Sequence, residues 1–418
     1  IPEQGGAEGR QLSEQLQEAC HNLDPTRPVT QGLDHAEKSI ESGVAKVMDV
    51  PGFNYRVHKY GNSIQQLPQG FLLGSETAST VSSRGVYKFP VEVTDNSQYA
   101  SWSPNYIPDA IKKADGQCSS YDLEYCSWSN LPDDDWVWQD DKDWVIGEFV
   151  WTGYDYLGEP TPYDEYWPSR SSYFGICDLA GLPKDRYYLY RSRWNTAEHT
   201  IHLLPHWSWG LSKKDNGNRI GKVTPVYCYT DYPSGELFVN GKSQGRTTKD
   251  PSSRLDRYRL RWNNVKYEPG ELKVIVYDAD GNAAGEQILK TAGTPANLKL
   301  DVWTQNTSLT THPSPLTTVD DLAFITVSLT DAEGTLIPQA DDQLTFEVTG
   351  AGSYEAVCNG DATSLESFKQ PTMKLFNGQL VVVVRSGKTP GTLTLKVTDE
   401  KLKISQSKLG QSLRLSNL

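Results

Sequence analysis

FLLGSETAST, residues 71–80, is the stretch on which the fold turns: an apolar run, a Gly-Ser step, and then Glu76. An apolar strand that ends on a carboxylate places that group where catalytic side chains sit in a parallel (β/α)8 barrel, at the C-terminal ends of the strands. A glutamate also falls at a strand end by chance, so the neighbouring segments decide. Upstream, Gln11 to Leu23 has helical periodicity, Pro28 to Leu33 and Val47 to Tyr55 read as strands, and Val57 to Gln66 as a short helix. Downstream come a Trp-rich insertion, a strand at Trp144 to Trp151 and a helix around Asp185 to Asn195. Strands alternating with helices predict parallel pairing with crossover helices. Four such strands in about 195 residues are half of the eight that a closed barrel needs, so residues 1–196 read as the second half of a (β/α)8 TIM barrel.

After Thr196 the pattern changes. Short alternating segments, among them Leu272 to Tyr277, Ala323 to Leu329, Leu344 to Val348 and Leu380 to Val384, are separated by turn dipeptides at Asn240-Gly241, Asp280-Gly281, Asn359-Gly360 and Asn377-Gly378. Such dipeptides are strong hairpin and turn signals, and strands half-buried on one face fit sandwiches. With the linker Thr291 to Pro295, the reading is two all-β immunoglobulin-like sandwich domains, over 197–294 and 295–418.

At 418 residues the chain is too long for one core and is expected to be multidomain. A formal net charge of -13 gives no basic footprint for phosphate, which argues against a nucleic-acid partner. No apolar run approaches the roughly 20 residues of a membrane span. Twelve Trp and 22 Tyr are numerous enough to supply both core packing and flat faces for sugar rings. The six Cys lack metal-ligand spacing, and no cofactor or metal is expected. Only Cys118 and Cys126 look like a pair. If bonded they would close a loop worth about 2.5 kcal/mol and imply an oxidising compartment; two free thiols fit the spacing equally well.

GEFVWTGYDYLGEPTPY, residues 147–163, and WPSRSSYFGICDLAGLPKD, residues 167–185, are similar to the last barrel strand and following loop of glycoside hydrolase family 2. SETAS resembles that family's nucleophile strand, MDVPGFNYR at 48–56 its sixth strand, and CNGDATSLESF at 358–368 a phrase in the last domain of its larger members. The resemblance spans essentially the whole chain. It implies a retaining mechanism with two carboxylates acting as nucleophile and acid/base through a covalent glycosyl-enzyme. Glu76 takes the nucleophile role, Tyr55 is the expected hydrogen-bond donor to it, and Trp151 the apolar wall under the sugar. Asn54, Glu148, Asp155 and Glu159 are the expected binders of sugar hydroxyls; Glu148, inside its strand, also reads as a structural carboxylate, and Asn54 equally as a support for Tyr55.

In the family the acid/base glutamate ends the fourth barrel strand, and the sequence following it resembles IPEQGGAEG here, so that residue is expected immediately before Ile1. Glu3 and Glu8 are poor substitutes, the latter fitting a helix start where acidic groups favour the dipole. A half barrel leaves two sheet edges open. The chain is therefore expected to work with an N-terminal half of the same protein.

The resemblance favours a β-galactosidase acting on β-linked oligo- or polysaccharide. The Asn-x-Lys pair that glucuronidases of the family carry after the nucleophile does not occur between Glu76 and Thr196. β-Mannoside and β-glucuronide remain alternatives for the glycone, and a non-catalytic carbohydrate-binding protein is the rival class. Family members with this domain string often act outside the cytoplasm, which implies a periplasmic or secreted bacterial protein. The insertion Arg84 to Asp143, with Trp102, Trp128, Trp136 and Trp138, reads equally as a wall for leaving-group sugars or as a lid that packs its own Trp residues. Its Asp133-Asp134-Asp135 run reads as a solvated face.

Overall fold

The computed structural model describes residues 4–91, 115–126, 128–210, 218–304, 321–388 and 391–410. Trp102 and Glu3 lie outside the described residues. Strands β1 (Thr30–Leu33), β2 (Val50–Asn54), β3 (Leu72–Thr77) and β6 (Val145–Val150) pair in that order, all parallel, in a four-stranded sheet. Between β3 and β6 in the chain lies a small antiparallel pair, β4 (Thr80–Val81) with β5 (Glu124–Tyr125). The helix Ala7–Leu23 precedes β1. Short helices at Ala36–Glu41, Val44–Val47 and Tyr60–Ser63 cover one face of the sheet, burying Ile40, Val44, Val57 and Tyr60 against Leu33, Phe53, Leu72 and Val145. Among the described residues β1 and β6 are sheet edges. Ile146 and Phe149 on β6, at 51% and 64% exposure, and Leu12, Leu16 and Leu23 on the first helix leave apolar surface uncovered. Scattered exposed apolar side chains are ordinary, but large ones concentrated on a sheet edge mark surface that another element would cover.

Two β-sandwiches follow. The first joins β10 (Lys242–Thr248), β9 (Ser234–Val239), β12 (Glu271–Tyr277) and β13 (Ala283–Lys290), in that order, to a sheet of β11 (Leu260–Trp262), β8 (Val226–Thr230) and β7 (Ile201–Leu204). Asn240 and Gly241, both with positive φ, turn β9 into β10. The second pairs β14 (Asn297–Thr304), β15 (Leu322–Thr330), β19 (Gln379–Ser386) and β17 (Gly352–Cys358) in one sheet. Its other sheet is β18 (Thr372–Lys374), β16 (Gln343–Gly350), β20 (Leu393–Asp399) and β21 (Ile404–Gly410). All pairs in both sandwiches are antiparallel. The second sandwich has a core of its own, with Leu300, Ile325, Val327, Leu344, Val382 and Leu395 at its centre. The first does not. Its Tyr227, Tyr229 and Leu260 belong to one apolar cluster with Trp136 of the insertion and Leu189 and Tyr190 of the helix Asp185–Trp194.

The Asp run explains part of that merger and corrects the reading of a solvated face. Pro132 opens the helix Pro132–Asp141, whose first turn carries all three aspartates, as the exposed amides and dipole of a helix start favour. All three are buried. Asp133 pairs with Arg259, Asp134 with Arg254, and Asp135 accepts from Asn130 at 2.7 Å. Both arginines come from the segment of the first sandwich that leads into β11. Buried charge persists only when paired, so the run is a clamp between units. Trp136 is fully buried against Tyr190 and Tyr258, and Trp138 packs on Tyr60 and Trp144. These two Trp residues therefore serve packing rather than a sugar wall. Cys118 and Cys126 are separate buried thiols. No helix among the described residues is long and apolar enough to cross a membrane.

Candidate active site

Parallel pairing brings the C-terminal ends of the four strands to one edge of the sheet, and the backbone sets their relative heights. Tyr55 N–H donates to the Glu76 carbonyl at 2.7 Å, and Trp151 N–H to the Thr77 carbonyl at 2.9 Å. Tyr55, Glu76 and Trp151, far apart in sequence, are thereby fixed on adjacent rungs. Sequence spacing alone gives the strand ends; the register decides which of their side chains are neighbours.

Tyr55 Oη donates to Glu76 Oε1 at 2.5 Å. Burial, together with the nearby Glu76 charge, holds the phenol well above its usual range, so it remains a donor. The Glu76 carboxyl is raised from the ordinary carboxylate value, first by burial and then by the charges of Glu159 and Asp34, against the lowering effect of the Tyr55 hydrogen bond. It is a half-buried carboxylate that accepts one short hydrogen bond.

Asn54 stands one residue before Tyr55, where its Oδ1 accepts from Ser75 Oγ at 2.9 Å; it braces the strand ends beside the carboxylate. Trp151 is half-buried at the end of β6, with its indole N–H donating to Tyr156 Oη at 3.0 Å. Tyr156 in turn donates to Glu159, which is exposed. Trp151, Tyr156 and Glu159 therefore form one linked group on the Glu76 side of the sheet, close enough for the Glu159 charge to act on Glu76.

Two expected sugar binders are placed differently. Asp155 is buried, with Oδ2 on the buried Lys184 ammonium at 2.7 Å and Oδ1 accepting the Gly175 N–H at 2.8 Å. Glu148 accepts from Trp136 Nε1 at 2.6 Å and from Thr77 Oγ1 at 2.7 Å. In both, each carboxylate oxygen already accepts from an internal donor. These contacts hold the loop after β6 and the insertion helix; for Asp155 they correct the sugar-binding role expected from the motif, and for Glu148 they fit the structural-carboxylate reading that its place inside the strand also offers. Glu8 is an exposed residue in the first turn of the first helix.

Asp34, Arg56 and Ser79 were not singled out from the sequence. Asp34 follows β1 directly, the same strand-end signal that Glu76 carries, and pairs with Arg56 at 3.0 Å. Ser79 donates to Tyr55 Oη at 2.8 Å. Among the described residues no cluster of three or more His, Cys, Asp or Glu is arranged to hold a metal ion.

The second sandwich reaches this end of the molecule. Arg84, eight residues past Glu76, is buried on Asp178 at 2.6 Å and donates to the carbonyls of Asn359 and Phe376. The loop 359–363 returns contacts: Gln117 donates to Asp361 Oδ1, and Arg170 N–H to the Ala362 carbonyl. Ala362 packs in one cluster with Trp151, Tyr156 and Phe174. At Gly360, φ is +83° and a Cβ would stand 2.0 Å from Asp178 Oδ2, so only glycine fits there. The CNGDATSLESF phrase is thus a docking loop.

A parallel α/β sheet with a carboxylate at its strand ends, followed by two antiparallel sandwiches, defines the class. Comparison with known proteins narrows it. Residues 309–408 match the model for glycoside hydrolase family 2 C-terminal domain 5, and residues 221–285 a domain of unknown function, DUF4982. The chain is 37% identical over 393 residues to beta-galactosidase BoGH2A of Bacteroides ovatus, covering 94% of this chain and 42% of that protein. It is 28% identical over 354 residues to a putative beta-glucuronidase of Formosa agariphila, covering 81% of this chain and 31% of that one. The crystal structure of a beta-glycosidase from Bacteroides vulgatus superposes with a TM-score of 0.74 at 27% identity, over 96% of this chain and 48% of that one. The chain belongs to glycoside hydrolase family 2, as sequence from the C-terminal part of its proteins. It spans less than half the length of these relatives.

Proposed function

We propose that this chain supplies the nucleophile side of a retaining exo-β-glycosidase, with terminal β-galactosides of oligo- or polysaccharides as substrate. The observation that carries the reading is the 2.5 Å hydrogen bond from Tyr55 to Glu76 at the strand ends. In this reading the four parallel strands are strands five to eight of a (β/α)8 barrel, within 1–196, followed by immunoglobulin-like sandwiches over 197–294 and 295–418. The N-terminal half of the same protein supplies strands one to four and the acid/base carboxylate. It would cover β6, whose Ile146 and Phe149 are exposed. Glu76 attacks the anomeric carbon while the acid/base protonates the leaving oxygen, and water then releases the sugar from the glycosyl-enzyme. Tyr55 stabilises the ionised nucleophile, Trp151 forms the apolar wall, and Asn54 and Glu159 face sugar hydroxyls. The protein is proposed to act in the bacterial periplasm or outside the cell.

Support for galactose comes from the relative named beta-galactosidase, the more similar of the two curated relatives described here. A second glycone is favoured by a specific finding, the relative named putative beta-glucuronidase; the missing Asn-x-Lys pair between Glu76 and Thr196 weighs against it. The test is hydrolysis of p-nitrophenyl β-galactoside and β-glucuronide by this chain alone and with its upstream half. Galactoside turnover only in the supplemented sample is the expected result. Glucuronide turnover would replace the glycone. An activated 2-deoxy-2-fluoro galactoside that labels Glu76 distinguishes an enzyme from a binding module; label on another carboxylate, or none, would overturn the nucleophile assignment.

A further inference from the structure

The turn that follows the candidate nucleophile is built to place one hydroxyl. β3 ends at Thr77, and Ala78, buried with φ +44°, takes a left-handed conformation that few non-glycine residues adopt. This reversal starts β4 and sends the Ser79 side chain back towards the strand ends. Ser79 is fully buried. Its backbone is held on both sides: its N–H donates to Ser129 Oγ at 2.7 Å, and its carbonyl accepts the Cys126 N–H at 3.2 Å. What remains is the hydroxyl, which donates to Tyr55 Oη at 2.8 Å.

The direction of this chain of hydrogen bonds follows from its end. An ionised Glu76 carboxylate only accepts, so the Tyr55 proton must point to Glu76, and Tyr55 Oη then takes its remaining bond as an acceptor. Ser79 can fill that position only by donating. Consecutive hydrogen bonds polarise one another in a low-dielectric site, and a donor on the phenol oxygen makes its proton a better donor in turn.

We propose that Ser79 is a positioning residue for the nucleophile, fixing and polarising the Tyr55 hydroxyl so that it donates to Glu76. The inference rests on the reading of Glu76 as nucleophile. Ser79 acts on Glu76 through Tyr55.

Its test uses the chain supplemented with its upstream half. Ser79→Ala should lower kcat/KM about tenfold and move the acid limb of its pH profile to higher pH, because a slack Tyr55 stabilises ionised Glu76 less. A residue that merely fills space would not move that limb. In a Tyr55→Phe background, Ser79→Ala should change kcat/KM less than twofold, since the two residues act as one unit. Ser79→Cys keeps the volume with a poorer donor and should show the same upward limb; it replaces Ser79→Ala if that variant does not fold. An unmoved acid limb in the folded variant, or a full tenfold loss repeated in the Tyr55→Phe background, overturns the inference. Labelling separates this from failure of the underlying reading: if the unsubstituted protein is not labelled at Glu76, both fall; if it is, and the Ser79 variant shows an unmoved limb, only the inference falls.

Discussion

Replacing Tyr55 by Phe removes one oxygen atom and leaves the ring, so it deletes the hydrogen bond to Glu76 together with the one that Tyr55 accepts from Ser79. The bond to Glu76 is a short O–H to carboxylate contact of 2.5 Å, and hydrogen bonds to charged groups contribute about 1.5–3 kcal/mol. Lost wholly from the attacking nucleophile, that is roughly a 10- to 150-fold fall in kcat/KM. The pH dependence gives the sharper signature. As the proposed nucleophile, Glu76 must be ionised to attack; burial, Glu159 and Asp34 push its carboxyl up, and Tyr55 is the hydrogen bond that pulls it down. Without Tyr55 the carboxylate gains its proton at higher pH, the acid limb of kcat/KM moves up, and part of the loss is recovered in more alkaline buffer. The assay is the pH profile with p-nitrophenyl β-galactoside, with thermal unfolding as a check on the fold. A folded Tyr55→Phe protein with kcat/KM within twofold and an unmoved acid limb would refute the assignment of this bond to the nucleophile.

Other outcomes follow from the same contacts. Glu76→Gln should lower turnover by at least about three orders of magnitude while keeping or raising the melting temperature. Because burial raises the Glu76 pKa in the folded state, ionising it costs stability, a cost that builds up as pH rises from the unfolded-state pKa through the folded-state one and stays constant above it; a lower melting temperature for Glu76→Gln at neutral pH would contradict this. Asp155→Asn leaves the buried Lys184 without its carboxylate and should cost about 3–5 kcal/mol of stability. A stable Asp155→Asn protein with a raised KM alone would restore its sugar-binding role. Arg84→Ala, which removes a buried ion pair and two bonds to the second sandwich, should speed hydrogen exchange at amides 359–363 at least about tenfold, for a loss of ~1.4 kcal/mol or more; unchanged exchange there would mean the sandwich docks by other contacts.

Much of the site was legible because it is carried by local pattern. The strand over 71–76, the strand over 47–55 and the carboxylate at residue 76 follow from apolar runs closed by polar strand ends, and the structure gives strands at Leu72–Thr77 and Val50–Asn54. The hairpin at Asn240-Gly241 follows from the positive φ values that a tight turn demands. Asp34 was readable by the same rule but lacked a motif to draw attention to it.

Composition misled where burial depends on distant partners. Three consecutive aspartates look solvated until Arg254 and Arg259, more than a hundred residues on, meet Asp134 and Asp133 in the interior and Asn130 takes Asp135. Glu148 and Asp155 sit in a motif that suggests a sugar, yet Trp136, Thr77, Lys184 and Gly175 take their oxygens. Ser79 is silent in sequence, because the backbone reversal at Ala78 that aims it appears only in three dimensions. Sequence by itself determined the element types, the turns and the strand-end carboxylate, since propensity and periodicity act over a few residues. Tertiary structure alone decided which carboxylates meet solvent and which meet an internal cation. Desolvation and pairing are set by groups that the chain brings together only when it folds.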